Sequence, residues 1–203
     1  MKQLINNLIK NSHLRTPEII SAFRKINRVD FISEELKSEA AANIPLPIGY
    51  GQTISQPLTV AFMLELLEPK KGNKILDIGA GSGWQSSLLA FIVGEKGRVF
   101  AIERIPELSE FGKENSQKYN FENLEFIVED GSKGYEKEAP YDRIIVAASA
   151  FGRIPKELKK QLKIGGRLVV PVENSIWLVV KKAEDEYKEK EFPGFVFVPL
   201  IEE

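Results

Sequence analysis

Leu76-Asp77-Ile78-Gly79-Ala80-Gly81-Ser82-Gly83-Trp84 reads as the end of a strand, a glycine turn and the first turn of a helix. The apolar run KILDIG at 74–79 leads into it, and SSLLAFIV follows. Glycine lets the backbone take angles closed to other residues and approach a ligand closely. The first N–H groups of the helix have no partner within the helix, so they face whatever sits beyond the strand. A dinucleotide fingerprint would need glycine at the first, third and sixth positions of the turn. Gly79 and Gly81 fit that spacing, but the sixth position is Trp84. Asp77, just before the turn, would repel a diphosphate and would not repel a cation. The turn therefore points to a ligand without a diphosphate.

Working outward, short apolar runs continue toward the C-terminus: RVFAIE at 98–103, LEFIVED at 124–130, DRIIVAA at 142–148 and RLVVPV at 167–172. Helical patterns lie between most of them, and continuous apolar strands joined by helices imply a parallel sheet covered on both faces. Two further runs, SIWLVVKK at 175–182 and FVFVPL at 195–200, are separated only by AEDEYKEKEFPG. That is too short for a helical crossover, so these two runs are expected to pair as an antiparallel hairpin with AEDEYKEKE as its solvated tip. Toward the N-terminus, Leu4, Ile5, Leu8 and Ile9 recur at helical spacing. Thr16-Pro17 signals a second helix, with the Thr16 hydroxyl expected to cap it. IPLPIGYGQTISQP at 44–57 is too punctuated for a helix, and Pro57 opens another. The predicted architecture is α/β: a doubly wound, mostly parallel seven-stranded sheet with a C-terminal antiparallel hairpin and N-terminal helices. A single domain over 1–203 is expected, with 1–71 a helical and substrate-loop region and 72–203 the cofactor-binding sheet.

The absence of cysteine excludes disulfides, thiolate metal sites and catalytic thiols. One histidine, His13 in SHLR, leaves no histidine-based metal cluster and reads as a surface residue. A net charge of -1 gives no bulk attraction to nucleic acid or anionic membrane, so neither is an expected partner. No apolar run approaches the roughly 18 residues of a spanning helix. A cytoplasmic monomer is expected.

Two acids follow the glycine turn at later strand ends. Glu103 lies 24 residues after Gly79, where a carboxylate can accept two ribose hydroxyls. Asp130, followed by Gly131, closes the next run, where a carboxylate can accept an adenine amino group. Each alone reads as a solvated loop acid. Together with Asp77 they share the side of the sheet where such folds bind ligands. This constellation resembles the class I S-adenosylmethionine-dependent methyltransferases.

A second block, Pro45-Leu46-Pro47-Ile48-Gly49-Tyr50-Gly51-Gln52-Thr53-Ile54-Ser55-Gln56-Pro57, narrows the resemblance. With Gln85, GluArgIleProGlu at 103–107, AspGlySer at 130–132, AlaProTyrAsp at 139–142, GlyGlyArgLeuVal at 165–169 and PheValProLeu at 197–200, the chain is similar to the protein-L-isoaspartate (D-aspartate) O-methyltransferases. The resemblance implies S-adenosylmethionine as cofactor, held by Asp77, Gly79, Gly81, Ser82, Gly83, Glu103, Asp130 and Gly131. It implies peptides carrying isoaspartyl residues as substrates, held by Thr53, Ile54 and Ser55, with Ser55 the catalytic residue. From its position alone Ser55 reads first as a cap for the helix that Pro57 opens, and one hydroxyl can serve both ends. The implied chemistry suits a chain with few catalytic groups. An aspartate-type carboxylate, with a pKa near about 4, is already an anion at neutral pH and can attack a sulfonium methyl without a general base.

The chain departs from the family pattern in having Ala80 and Trp84 where Thr and Tyr are frequent. A loop one residue longer, AlaSerAlaPheGlyArgIlePro at 148–155, follows the fourth strand. Two alternatives stay open at this point: a methyltransferase of this fold acting on another carboxylate or small molecule, and a non-catalytic S-adenosylmethionine-binding module.

Overall fold

The structure is a computed structural model that describes residues 1–202. Two helices lead, α1 (Lys2–Lys10) and α2 (Pro17–Lys25), followed by two short 3-10 turns at Arg28–Phe31 and Glu34–Glu39. A small hairpin of β1 (Leu46–Gly49) and β2 (Gln52–Ile54) precedes α3 (Pro57–Leu67). Then come β3 (Lys74–Ile78), α4 (Trp84–Val93), β4 (Arg98–Glu103), α5 (Pro106–Gln117), β5 (Leu124–Val128), β6 (Tyr141–Val146) and α6 (Lys156–Lys160). Three strands close the sheet: β7 (Leu162–Val172), β8 (Ser175–Ala183) and β9 (Glu186–Pro193).

The seven-stranded sheet has the order β5-β4-β3-β6-β7-β8-β9. Strands β3 to β7 pair in parallel, and β8 and β9 add antiparallel at one edge. The chain winds outward from β3 through β4 to β5, then returns to β6 on β3's other side. The gap between the ends of β3 and β6 is thus the switch point, where ligands bind in open sheets of this kind. The two-residue period of the strands sorts their side chains between two cores. Ile75, Val99, Ile145 and Val169 face the N-terminal helices, α3 and α4. Leu76, Ile78, Phe100, Ile144 and Leu168 face the other way, toward Leu158 of α6. No helix among the described residues is long and apolar enough to cross a membrane.

Two expectations need correction. Thr16 stands at the N-cap of α2 with Pro17 next, but its hydroxyl makes no cap bond and donates instead to Glu65 Oε2 at 2.8 Å. A nearby carboxylate is the stronger acceptor, and it also takes the Arg15 and Thr16 amides. The second correction concerns the C-terminal strands. AEDEYKEKE is no hairpin tip: most of it is β9, paired antiparallel with β8 across a turn at Glu184 and Asp185. An edge strand exposed along most of its length can be built from Lys and Glu, and such charges keep its open edge in water. FVFVPL is accordingly not a sheet strand. It crosses the carboxyl ends of the parallel strands, tied there by Ser149 N–H to Val198 O and Leu200 N–H to Ser149 O, both at 2.8 Å.

Candidate active site

The glycine turn is built from both sides. Gly79, Gly81 and Gly83 have φ of +81°, +51° and +83°. The Gly79 and Ala80 amides both donate to Ile102 O, pinning the turn to the end of β4. Gly83 faces away from the cleft: a Cβ there would lie 2.6 Å from the Gly112 carbonyl oxygen of α5. Gly83 thus serves the helix–turn packing that the sixth-position glycine serves in a dinucleotide fold. Trp84 needs no such closeness, because its ring turns to the other side. It is buried edge-on against Phe23 at 5.5 Å.

Asp77 also lies behind the turn. It is fully buried and accepts from Gln85 Nε2 at 2.7 Å and Ser86 Oγ at 2.6 Å, fastening the first turn of α4 to β3. Burial pushes its pKa up to about 6, against the opposing pull of those two hydrogen bonds. Asp77 and Gly83 were expected to touch the ligand, but neither lines the cleft; they shape the turn that does.

The other candidates do come together. Gly79, Gly81, Ser82, Glu103, Asp130, Gly131, Thr53, Ile54 and Ser55 all line one cleft at the carboxyl ends of β3, β4, β5 and β6. Glu103 Oε2 accepts the Gly81 amide at 2.9 Å and Oε1 the Ile105 amide at 3.0 Å. A carboxylate has about four acceptor positions, so two bonds leave it capacity for a diol. Asp130 accepts the Ser132 amide and hydroxyl, which fixes the 3-10 turn at Gly131–Lys133. Gly131 permits this turn to lie on β3, since a Cβ would come within 2.6 Å of Ile78 Cγ2.

The β1–β2 hairpin forms the opposite wall. Its register pairs Leu46 with Ile54 and Pro47 with Thr53, with the connection through Tyr50 and Gly51 at positive φ. It meets the glycine turn directly: Ile48 Cδ1 is 3.1 Å from where a Gly81 Cβ would stand. Ser55 follows the hairpin but caps nothing. The N-cap of α3 is Gln56, and the Leu58 amide of its first turn is served at 2.9 Å by Asn43 Oδ1. The capping alternative for Ser55 is therefore overturned, because a side chain from farther upstream already fills the role.

Several residues of the site escaped the sequence reading. Arg28 is fully buried and donates to the carbonyls of Ala40, Ala42, Ile44, Ile54 and Ser55, lying over the Trp84 ring at 5.6 Å. Burial lowers its pKa to about 10, so it stays charged at neutral pH. Ala147 and Ala148 line the cleft after β6, and Val198, Pro199, Leu200 and Ile201 close it. Phe151 of the 148–155 loop stands 91% exposed and outside this wall. Lysine and histidine are absent from the lining, which carries Glu103, Glu129 and Asp130 against Arg104 alone. Such a donor set suits a cationic ligand with hydroxyl and amino donors, and S-adenosylmethionine fits it.

Comparison with known proteins agrees over the whole length. The family model described as "Protein-L-isoaspartate(D-aspartate) O-methyltransferase (PCMT)" matches residues 1–203. A protein-L-isoaspartate O-methyltransferase of Ignicoccus hospitalis is 44% identical, covering 100% of this chain and 97% of its own. One from Archaeoglobus fulgidus is 47% identical over 90% of this chain and 84% of its own. Among solved structures, a protein assigned as the protein-L-isoaspartate O-methyltransferase of Plasmodium falciparum, in complex with S-adenosyl-L-homocysteine, superposes with a TM-score of 0.87. It is 24% identical and covers 98% of this chain and 97% of that one, a likeness of fold. The chain belongs to the protein-L-isoaspartate (D-aspartate) O-methyltransferase family.

Proposed function

We infer that this protein transfers the methyl group of S-adenosylmethionine to the free carboxylate of L-isoaspartyl, and D-aspartyl, residues in damaged proteins. The observation that carries this reading is the convergence of two distant segments. Thr53–Ser55 and the turn at Gly79–Ser82, with Glu103 and Asp130, line one cleft from opposite walls. The cofactor supplies an electrophilic methyl on a sulfonium. Glu103 would accept its ribose hydroxyls and Asp130 its adenine amino group, and the Gly79–Ser82 backbone would border its amino-acid end.

On the other wall, Thr53, Ile54 and Ser55 hold the substrate carboxylate with hydroxyls and backbone amides. The carboxylate oxygen bonds to the methyl carbon as the carbon–sulfur bond breaks, and the electron pair leaves with sulfur. No proton moves, so the residues need only align oxygen, carbon and sulfur. Alignment alone can supply several kcal/mol, roughly 7–11 at best. The neighbouring backbone amide then closes on the ester, expelling methanol and leaving a succinimide whose hydrolysis returns part of the residue to aspartate. In this reading the chain works as one domain and as a cytoplasmic monomer on protein partners, without nucleic acid or membrane.

The test is chemical identification of the product. An isoaspartyl peptide incubated with methyl-labelled S-adenosylmethionine is expected to carry label that mild base releases as methanol, the mark of an ester. Label that base does not release, or no labelled methanol at all, would overturn the reading.

A further inference from the structure

A second concave site lies away from the methyl-transfer cleft, on the face of β6 to β9 beside the end of α3. It is a groove of about 400 Å³ lined by Lys70, Arg143, Arg167, Lys182, Lys188 and Lys190, with Glu68 its one carboxylate. The chain as a whole carries a net charge of -1, so this concentration of cations is local. Strand register creates it. Arg143 is the direct cross-strand partner of Arg167, Arg167 of Val180, and Val180 of Lys188, while Lys190 stands opposite Leu178. Neighbouring strands lie about 4.8 Å apart, so the row from Arg143 to Lys188 spans roughly 14 Å.

Like charges directly opposed across strands destabilise a sheet. The arrangement is only partly neutralised from within. Glu68 pairs with Arg167, and the Glu68 carbonyl accepts Arg143 Nε at 3.0 Å. Burial and the adjacent Arg167 both hold the Arg143 guanidinium below its ordinary pKa. Arg167 Nε is buried with no hydrogen-bond partner among the described residues, so its charge is incompletely compensated within the protein. Lys190 rests over the Phe192 ring at 4.9 Å.

We propose that this groove is a second binding site, for an oligophosphate anion. The row is too long for one phosphate to neutralise, and a chain of phosphates fits it. The two guanidinium groups, held by the Glu68 carboxylate and by the Glu68 and Asp142 carbonyls, add fixed positive charge to the groove wall, and the four lysines provide point charges for phosphate oxygens. The groove has the volume of a small-molecule site and not of a peptide cleft's full run. Single-stranded nucleic acid binds through exposed aromatic stacking platforms. The nearby ring, Phe192, is already engaged by Phe62 at 5.4 Å and by Lys190.

Calorimetric titration of the full chain with sodium tripolyphosphate, at fixed low ionic strength, tests the proposal. Saturable binding at one site is expected. The Lys188→Gln/Lys190→Gln variant, on the exposed edge strand and checked by circular dichroism, should bind at least tenfold more weakly. Lys25→Gln/Lys96→Gln makes the same change in charge elsewhere on the surface and should bind like the parent. With the cofactor cleft saturated by S-adenosyl-L-homocysteine, equal affinity for ATP would assign the site to the phosphate chain alone. Tighter ATP binding that Lys188→Gln/Lys190→Gln weakens would assign it to a nucleotide source of that chain. Both support the site, and ATP binding that this variant leaves unchanged counts against it. The proposal is overturned by binding that does not saturate, by an equal loss in the control variant, or by tighter binding of polyglutamate or single-stranded RNA than of tripolyphosphate.

Discussion

Arg28 holds together the segment that carries Ser55. Its guanidinium gathers carbonyls from Ala40 to Ile44 on one side and from Ile54 and Ser55 on the other. Hydrogen bonds from a charged donor contribute about 1.5–3 kcal/mol each and do not add simply. Arg28→Met is therefore expected to lower stability by at least about 3 kcal/mol in urea titration. Arg28→Lys should recover only part of this, because an ammonium cannot reproduce the planar fork. Nothing in the run FRKINRVDF marks Arg28 as buried. Its role is defined by carbonyls that approach only once the chain folds. Asp77 makes a prediction of different form. Its pKa is raised from 3.8 to about 6, so the native state binds this proton more tightly than the unfolded chain does. That contribution is fully present below about pH 4, is lost as pH rises to about 6, and is constant above. The difference in unfolding free energy between the parent and Asp77→Asn should fall across this window by about 3 kcal/mol. A pH-independent difference would contradict the burial of an ionising carboxyl at this position.

At the level of elements, the strand–turn–helix around Gly79 was legible because its chemistry is local: apolar run, glycines, then helix formers. What the sequence could not separate was which glycine meets a ligand and which meets a helix. Gly83 and Gly94 offer the test, since both have positive φ, but a Cβ meets the Gly112 backbone at the first and nothing within 4 Å at the second. Gly83→Ala should cost about 1–3 kcal/mol more than Gly94→Ala in thermal unfolding. Misreading β9 had a related origin. Its Lys and Glu residues report that the strand is wet, and composition does not reveal whether a wet segment pairs. FVFVPL misled in the opposite sense, since an apolar run records burial and not the partner. The turn at Glu184 and Asp185, adjacent to β8, decides the matter by placing β9 first in line for β8's open edge.

Across the whole molecule, the cleft draws on residues near 48–55, 79–85, 102–105, 129–131, 147–148 and 198–201. The sequence exposes the middle members, because parallel strands end on one side of a sheet and so Glu103 and Asp130 must neighbour the glycine turn. It exposes Thr53–Ser55 only through resemblance, and it hides the C-terminal wall, whose position depends on long-range bonds to Ser149. The proposed reaction requires the two walls to have separate duties: cofactor on the glycine side, substrate carboxylate on the Thr53–Ser55 side. The direct measurement is steady-state methyl transfer by the parent and by Ser55→Ala, using paired peptides that differ only in isoaspartate or aspartate, with cofactor affinity determined in parallel. We expect transfer to the isoaspartyl peptide alone, a loss on the order of 10²-fold in the variant, and cofactor binding unchanged. Equal transfer to both peptides, or a Ser55→Ala protein as active as its parent, would contradict it.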